Sequence, residues 1–266
     1  MRANLKPNQP EPDVSLSYRQ KEILNAVRIA GRVAVEALAE AQNVTPQTIR
    51  RDLNTLCDEG HLTRVHGGAI LQSGVANTAY DARKNMAREA KEAIGRLCAD
   101  AIPDDASLFI NIGTTTEAVA RHLCTRRDLL VITNNLNVAN IMATNPHCGV
   151  MVTGGMLRRT DGGLVGESTV DTVQQFKADY AIIGTSAIDE DGSILDFDYG
   201  EVRVSQAIIA NARKVFLVAD ASKLSRTAPA RIGHLREIDG FFTDQPLPAP
   251  LADICRQHEV SVRIVG

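Results

Sequence analysis

The chain of 266 residues contains no Trp, and aromatic residues make up only 4% of it. That argues against a nucleic-acid reader built on stacked aromatic platforms, which needs a ring for each unstacked base. Cysteine is sparse too, with Cys57, Cys98, Cys124, Cys148 and Cys255 and no C-x-x-C pair. An odd count without that spacing supports neither a disulfide framework nor a zinc cluster, and isolated Cys read as small core residues. The six His show no paired metal spacing, so no metal and no cofactor is expected. No apolar run approaches the ~20 residues of a membrane helix. Residues 1–17 are polar, carry Pro7, Pro10 and Pro12, and lack a signal-peptide core. The expectation is a disordered tail over 1–17 and a cytoplasmic protein. Positive charge is not in excess either. The formal net charge is -3, so any surface that binds phosphate must be local.

What is present is ordinary globular material, 44% hydrophobic and 23% charged, in a length that suits two domains. Ser17, with Gln20 three residues on, has the form of a capping box, and Ile23, Leu24 and Val27 give the helix behind it an apolar stripe. Gly31 should stop that helix. A second short helix is expected over residues 35–40, with Val35, Leu38 and Ala39 inward and Ala34 a poor cap. A third follows the turn at Asn43-Val44, capped by Thr45 with Pro46 at its first position and ending near Gly60. Residues 62–71 read as a hairpin turning at Gly67-Gly68. Helix, short helix, turn, helix and hairpin over residues 18–73 make a winged helix-turn-helix plan.

The third helix carries the chemistry. At about 100° per residue, Ile49, Leu53 and Leu56 share one side. Gln47, Arg51 and Asn54 share the other, with Arg50 at the flank. Arg can bond a guanine edge in two places and Gln an adenine edge likewise. Thr45 and Thr48 sit at the helix start, where free N–H groups attract phosphate. Arg64 and His66, at the hairpin tip, complete the candidate set for DNA binding. The same spacing also describes a three-helix bundle with a solvated Arg pair, and the near-neutral charge of this segment favours that plainer reading.

Residues 74–90 are polar and unpatterned and read as a linker. In 91–266 short apolar runs alternate with helical ones. The runs are 107–112, 129–133, 150–153, 180–183, 214–219, 240–243 and 261–265; helical stretches follow most of them, including 117–123, 138–143, 169–176 and 202–212. Strand–helix alternation with near-continuously apolar strands implies an α/β domain, a mainly parallel sheet covered on both faces.

Three features of that domain suit a phosphate and polyol site. Gly113, Thr114, Thr115 and Thr116 join a strand to a helix, where Gly allows close approach and the helix start binds anions. Thr114 with Glu117 also spells a capping box, and Glu117 would repel a phosphate. Asn134, Gly154-Gly155 and Gly184 follow successive strands, at the ends where open α/β sheets bind ligands. Gly and Asn are equally ordinary turn residues. Asp198, Glu201 and Lys223 are charged groups placed after strands, although Asp198 and Glu201 also have the spacing of a capping box.

The string VTPQTIRRDLNTLCDEGHLTRVHGGA resembles the DeoR-family signature, with TPQTIRRDL as recognition helix and HGGA closing the wing. The resemblance continues in NIGTTTEAVA, VITNNLNVAN, GGMLRRTDGGLVGE, GTSAIDEDGSILDFDYGEVR and VADASKLSR, and covers roughly residues 18–245. It implies a transcriptional repressor with a ribose-5-phosphate-isomerase-like sensor. Its partners would be double-stranded operator DNA, a phosphorylated small-molecule effector (glycerol 3-phosphate is favoured) and further copies of itself as a dimer or tetramer. It also implies that Glu201 and Lys223 contact phosphate or hydroxyls. Departures are the long N-terminal tail and Ala34, where a capping Ser is common.

A sensor for another sugar phosphate is one alternative. A sugar-phosphate isomerase with an appended DNA-binding domain is the other. Isomerisation needs a base beside the carbonyl. The related isomerases carry acids in a DGADE-like loop, whose first acid position is here Gly184. Binding without catalysis is therefore the expectation.

Overall fold

The computed structural model describes residues 16–30, 32–58, 61–65, 67–71 and 80–266. Residues 1–15 of the expected tail, the stop at Gly31 and the helix end near Gly60 lie outside them, as do His66 and residues 74–79 of the expected linker.

The first unit contains α1 (Tyr18–Ala30), β1 (Arg32–Ala34), α2 (Val35–Ala41), α3 (Pro46–Asp58), β2 (Leu62–Val65) and β3 (Gly68–Leu71). The capping box at its start is formed: Gln20 N–H donates to Ser17 Oγ, and Ser17 N–H donates to Gln20 Oε1. Ala34 offers α2 no side-chain cap, as expected of its methyl group. Ile23, Val27, Val35, Leu38, Ile49, Leu53, Leu56 and Leu62 meet in one core, each large aliphatic side chain contributing roughly 1.5–3 kcal/mol by its burial. The expected hairpin gains a third strand, for β1 pairs antiparallel with β3 and the sheet order is β1-β3-β2. Three residues give no readable alternation. Gly68 permits the pairing, because a Cβ there would sit 1.8 Å from the Val33 carbonyl oxygen.

The rest of the expected linker is not unstructured. Residues 80–90 form α4 (Tyr80–Asn85) and the start of α5 (Arg88–Ala99), separated by a turn at Met86-Ala87 with Ala87 at φ 50. Their polarity hides them. Lys91 occupies an inward position of α5, where its ammonium donates to the carbonyls of Arg83 and Met86, at 2.5 and 2.8 Å. A lysine thus stands where the helical pattern needs an apolar residue.

The larger unit continues with β4 (Ser107–Ile110), α6 (Thr114–Leu123), β5 (Leu129–Thr133), α7 (Leu136–Met142), β6 (Cys148–Val152), β7 (Met156–Arg158), β8 (Gly163–Val165) and α8 (Glu167–Gln174). It ends with β9 (Ala178–Ile183), β10 (Ala187–Ile188), β11 (Ser193–Asp196), α9 (Tyr199–Ala210), β12 (Ala212–Val218), β13 (Ala230–His234), β14 (Gly240–Thr243), α10 (Ala249–Gln257) and β15 (Ser261–Ile264). Seven strands form one parallel sheet in the order β15-β14-β12-β9-β4-β5-β6. Alternate residues of its strands feed two cores. Phe109, Ala181, Ile183, Leu217 and Phe241 pack with α8, α9 and α10. Leu108, Ile110, Ile182, Val218 and Phe242 pack with α5, α6 and α7. Helices on both faces explain why those strands read as continuous apolar runs.

The sequence pattern misses the small antiparallel pieces, β7 with β8 and β10-β11-β13. It also misses α10, whose start is obscured by Pro246, Pro248 and Pro250 although Pro is tolerated in a first helical turn.

Candidate functional site

On α3 the two faces separate as the periodicity requires. Ile49, Leu53 and Leu56 are fully buried, and Gln47, Arg50, Arg51 and Asn54 are exposed. Thr45 Oγ1 accepts the Thr48 N–H at 3.3 Å, and the two hydroxyls lie 2.9 Å apart. Arg50 has a long contact with Glu36, at 3.5 Å, on exposed side chains. The Arg51 guanidinium makes no hydrogen bond or ion pair with a described residue, and Arg64 stands exposed on β2. Asp52, which the pattern reading passed over, is buried on α3 and paired with Arg19 of α1 at 2.5 Å. It fixes the orientation of α3 against α1 and leaves its neighbour Arg51 directed outward.

In the larger domain, the chain leaves β4 for β5 and β6 on one side, then returns to β9, β12, β14 and β15 on the other. The carboxyl ends of β4 and β9 therefore flank the point where strand order reverses, the crevice in which open α/β sheets bind ligands. A narrow cleft of about 20 Å³ opens there, lined by Arg83, Ile112, Gly113, Thr114, Thr115, Gly184, Thr185, Ser186, Asp196, Glu201 and Lys223. That is room for about one water molecule. Six of the expected effector residues are in this wall: Gly113, Thr114, Thr115, Gly184, Glu201 and Lys223.

The other four are elsewhere or otherwise engaged. Thr116 directs its hydroxyl to the carbonyls of Asn111 and Gly113. Asn134 donates from Nδ2 to the Leu164 carbonyl and so ties β5 to β8. The Gly154 carbonyl accepts the Thr169 hydroxyl at 2.6 Å. A Cβ on Gly155 (φ +129) would meet Thr169 Oγ1 at 2.0 Å. Those two glycines serve the approach of α8.

Both capping-box alternatives change form. Gly113 is the N-cap of α6, and no side chain caps that terminus. Glu117 turns away: it accepts from the Tyr80 hydroxyl at 2.8 Å, from Asn135 at 3.3 Å and from Asn137 at 3.1 Å. Asp198 does cap α9, accepting the Glu201 N–H. Glu201 does not reciprocate; its carboxylate takes a 2.5 Å contact from Arg158. Arg158 also bonds Asp161 at 2.7 and 2.9 Å and lies 3.1 Å from Asp198.

The electrostatics of the cleft are strained. Lys223, on a 3-10 turn over Ala221–Ser225 after β12, is 8% exposed. Its backbone N–H donates to the Asp220 carbonyl at 3.0 Å, while its ammonium makes no hydrogen bond with a described residue. Burial pulls its pKa down to about 7 against the attraction of Asp220, and Arg226, Lys91 and Arg83 add repulsion. Glu201 is pushed up to about 8 by burial and by Asp196, with Arg158 opposing. Burial works against the Arg158 charge, but Asp161 and Glu201 outweigh it and hold that guanidinium above its usual range.

Arg83 and Asp196 are lining residues outside the candidates read from sequence, and Arg83 falls in the expected linker. Thr185 and Ser186 directly follow the candidate Gly184 at the end of a strand, but their hydroxyls carry no spacing signal.

Two family models match the chain: a DeoR-like helix-turn-helix domain over residues 19–75 and a DeoR C-terminal sensor domain over residues 86–245. The chain belongs to the DeoR family. It is 44% identical over 248 residues to the glycerol-3-phosphate regulon repressor of Escherichia coli K12, covering 93% of this chain and 98% of that protein. The repressor of the same name from Haemophilus influenzae is 45% identical over 227 residues, 85% and 89% of the two chains. The transcriptional repressor CsqR of Escherichia coli K12 is 39% identical over 244 residues, 92% and 94%. Solved structures align more loosely. A ribose 5-phosphate isomerase from Plasmodium falciparum gives a TM-score of 0.38 at 13% identity, over 50% of this chain and 52% of that one. eIF2B beta from Chaetomium thermophilum gives 0.47 at 12% identity, over 91% and 70%. Among the described residues, no helix is long and apolar enough to cross a membrane.

Proposed function

We propose that this DeoR-family protein is a transcriptional repressor that binds operator DNA through α3 and leaves it when glycerol 3-phosphate occupies the cleft between β4 and β9. The observation that carries the ligand half is Lys223, a buried ammonium with no hydrogen-bond partner among the described residues. It lines the same cleft as the uncapped N-terminus of α6. Burial disfavours the charged form of that amine, and a dianionic phosphate would restore it. The first-turn N–H groups of α6 and the Thr114 and Thr115 hydroxyls supply the remaining donors. The choice of glycerol 3-phosphate follows the relatives that bear its name.

The DNA half rests on the exposed row Gln47, Arg51 and Asn54, opposite a buried one. The protein is a sensor and not an isomerase in this proposal, because Gly184 stands where a catalytic acid would be needed. It works in the cytoplasm, as a homo-oligomer, since paired half-sites on DNA call for paired readers.

A thermal-shift panel of phosphorylated metabolites, run beside a gel shift with promoter DNA, tests it. Glycerol 3-phosphate should stabilise the protein and release the duplex. Stabilisation by a pentose or hexose phosphate in its place would reassign the effector. Response to none of them would remove the sensing role.

A further inference from the structure

The inner part of the cleft, about 20 Å³, does not enclose a phosphorylated triol, so drawing the ligand fully inside requires one of its walls to move. Most of the wall is built into the sheet: Gly113 and Gly184 follow central strands, and Glu201 and Lys223 follow β11 and β12. One lining residue is not. Arg83 belongs to α4, the first described element after the wing of the DNA-binding domain. No residue of α4 belongs to either hydrophobic core of the sensor domain, among the described residues. Hydrogen bonds and one ion pair hold it instead.

Those contacts are graded. At the N-terminal end, the Tyr80 hydroxyl donates to Glu117 and accepts from Asn137 at 3.1 Å. In the middle, Arg83 reaches Asp161 only at 3.4 Å, while its Nε is buried without a partner. At the C-terminal end, the buried Lys91 ammonium grips the carbonyls of Arg83 and Met86. With an anion in the cleft to take up the Arg83 guanidinium, the first two can break without orphaning a buried charge. Asp161 keeps Arg158, and Glu117 keeps Asn135 and Asn137. The third cannot, because it would leave a buried ammonium unbonded. The end of α4 beside α5 is therefore an anchor, with Ala87 at φ 50 as the joint, and the end facing the DNA-binding domain is the one free to swing.

Resting on the function proposed above, we propose that Arg83 is a direct contact for the effector's phosphate, and that drawing it from Asp161 unlatches Tyr80 from Glu117 so that α4 carries ligand occupancy into the connection to the DNA-binding domain. Arg83 already faces the cleft with an unspent donor. A phosphate offers it charge-assisted bonds in place of a marginal one. The two ligand states then differ in a named set of contacts, as coupling between sites requires.

The test uses the full chain, with glycerol 3-phosphate binding followed by calorimetry and operator release by gel shift. Arg83→Ala should weaken effector binding about tenfold or more, as loss of one charge-assisted bond implies, and Arg83→Lys should recover part of it. The effector-free thermal midpoint reports that both variants fold. Tyr80→Phe touches no ligand atom but removes the latch, so it should lower the effector concentration that half-releases the operator. Wild-type effector affinity in Arg83→Ala overturns the contact. An unmoved half-release concentration in Tyr80→Phe overturns the latch. If the wild-type chain binds no phosphorylated metabolite, the proposed function fails instead, which is a different result from either.

Discussion

Lys223 and Glu201 sit in one cleft and are displaced in opposite senses. Burial lowers the lysine to about 7 and raises the glutamate to about 8. Relative to an unfolded chain, the lysine's contribution to stability is complete above its ordinary value of 10.5 and is lost as pH falls through about 7. The glutamate's contribution is complete below 4.5 and lost as pH rises through about 8. The unliganded sensor is therefore loaded electrostatically across neutrality. A bound phosphate dianion reverses the lysine's position by favouring the ammonium. At pH 7.5 binding should accordingly draw in a proton, in part of the molecules, because Lys223 is then mostly uncharged before the ligand arrives. Calorimetric titration in buffers of different ionisation enthalpy measures that uptake directly. Lys223→Met should abolish it, and a wild-type titration with no uptake would place Lys223 away from the phosphate.

Helix α3 shows how one element can be legible in sequence and still need its neighbours. Its apolar row is buried among α1, α2 and β2, and the Asp52–Arg19 pair fixes its rotation. Arg51 is the exposed cation on it with no protein partner among the described residues, whereas Arg50 has Glu36. Arg51→Ala should therefore cost operator binding about 1–3 kcal/mol and relax the preference at one base pair. A gel-shift series over single-base operator variants tells the two roles apart. A uniform loss at every sequence would make Arg51 a phosphate contact. In the sensor, α6 has the complementary property. Its termini differ chemically, with an uncapped N-terminus in the cleft and Arg121 and His122 in the last turn beside Glu92. Arg121 lies where the helix dipole favours a cation.

At the scale of the whole molecule, a helix-turn-helix unit is followed by α4 and a sensor domain, and the proposed ligand crevice lies where the strand order reverses. Two copies are needed to read two half-sites. Inserting about half a helical turn, roughly five base pairs, between the half-sites should weaken binding, and a full turn of about ten should restore much of it. Equal affinity for an isolated half-site, measured on the same gels, would mean that one protomer suffices. A net charge of -3 is compatible with the proposed DNA binding because a local basic face, with Arg50 and Arg51 on α3 and Arg64 on β2 exposed, would meet the duplex.

The sequence by itself determined the order of elements wherever the pattern had room to repeat. The periodic helices of the reading domain, the seven apolar parallel strands and the glycine or threonine turns after them all follow from side-chain spacing of 3.6 or 2 residues. It also brought six of ten effector candidates to one cleft, since strand ends converge by topology. Tertiary structure decided what local pattern cannot encode. β1, β7, β8 and β10 have two or three residues each, too few for a period. α4 is held by polar bonds, so nothing apolar marks it. Which carboxylate meets which donor is likewise a matter of approach through space: Glu117 accepts from the neutral Tyr80 hydroxyl and Glu201 pairs with Arg158, although spacing offered both a neighbouring backbone N–H. A buried charge finds its partner in three dimensions, because the energy depends on distance and desolvation and not on position along the chain.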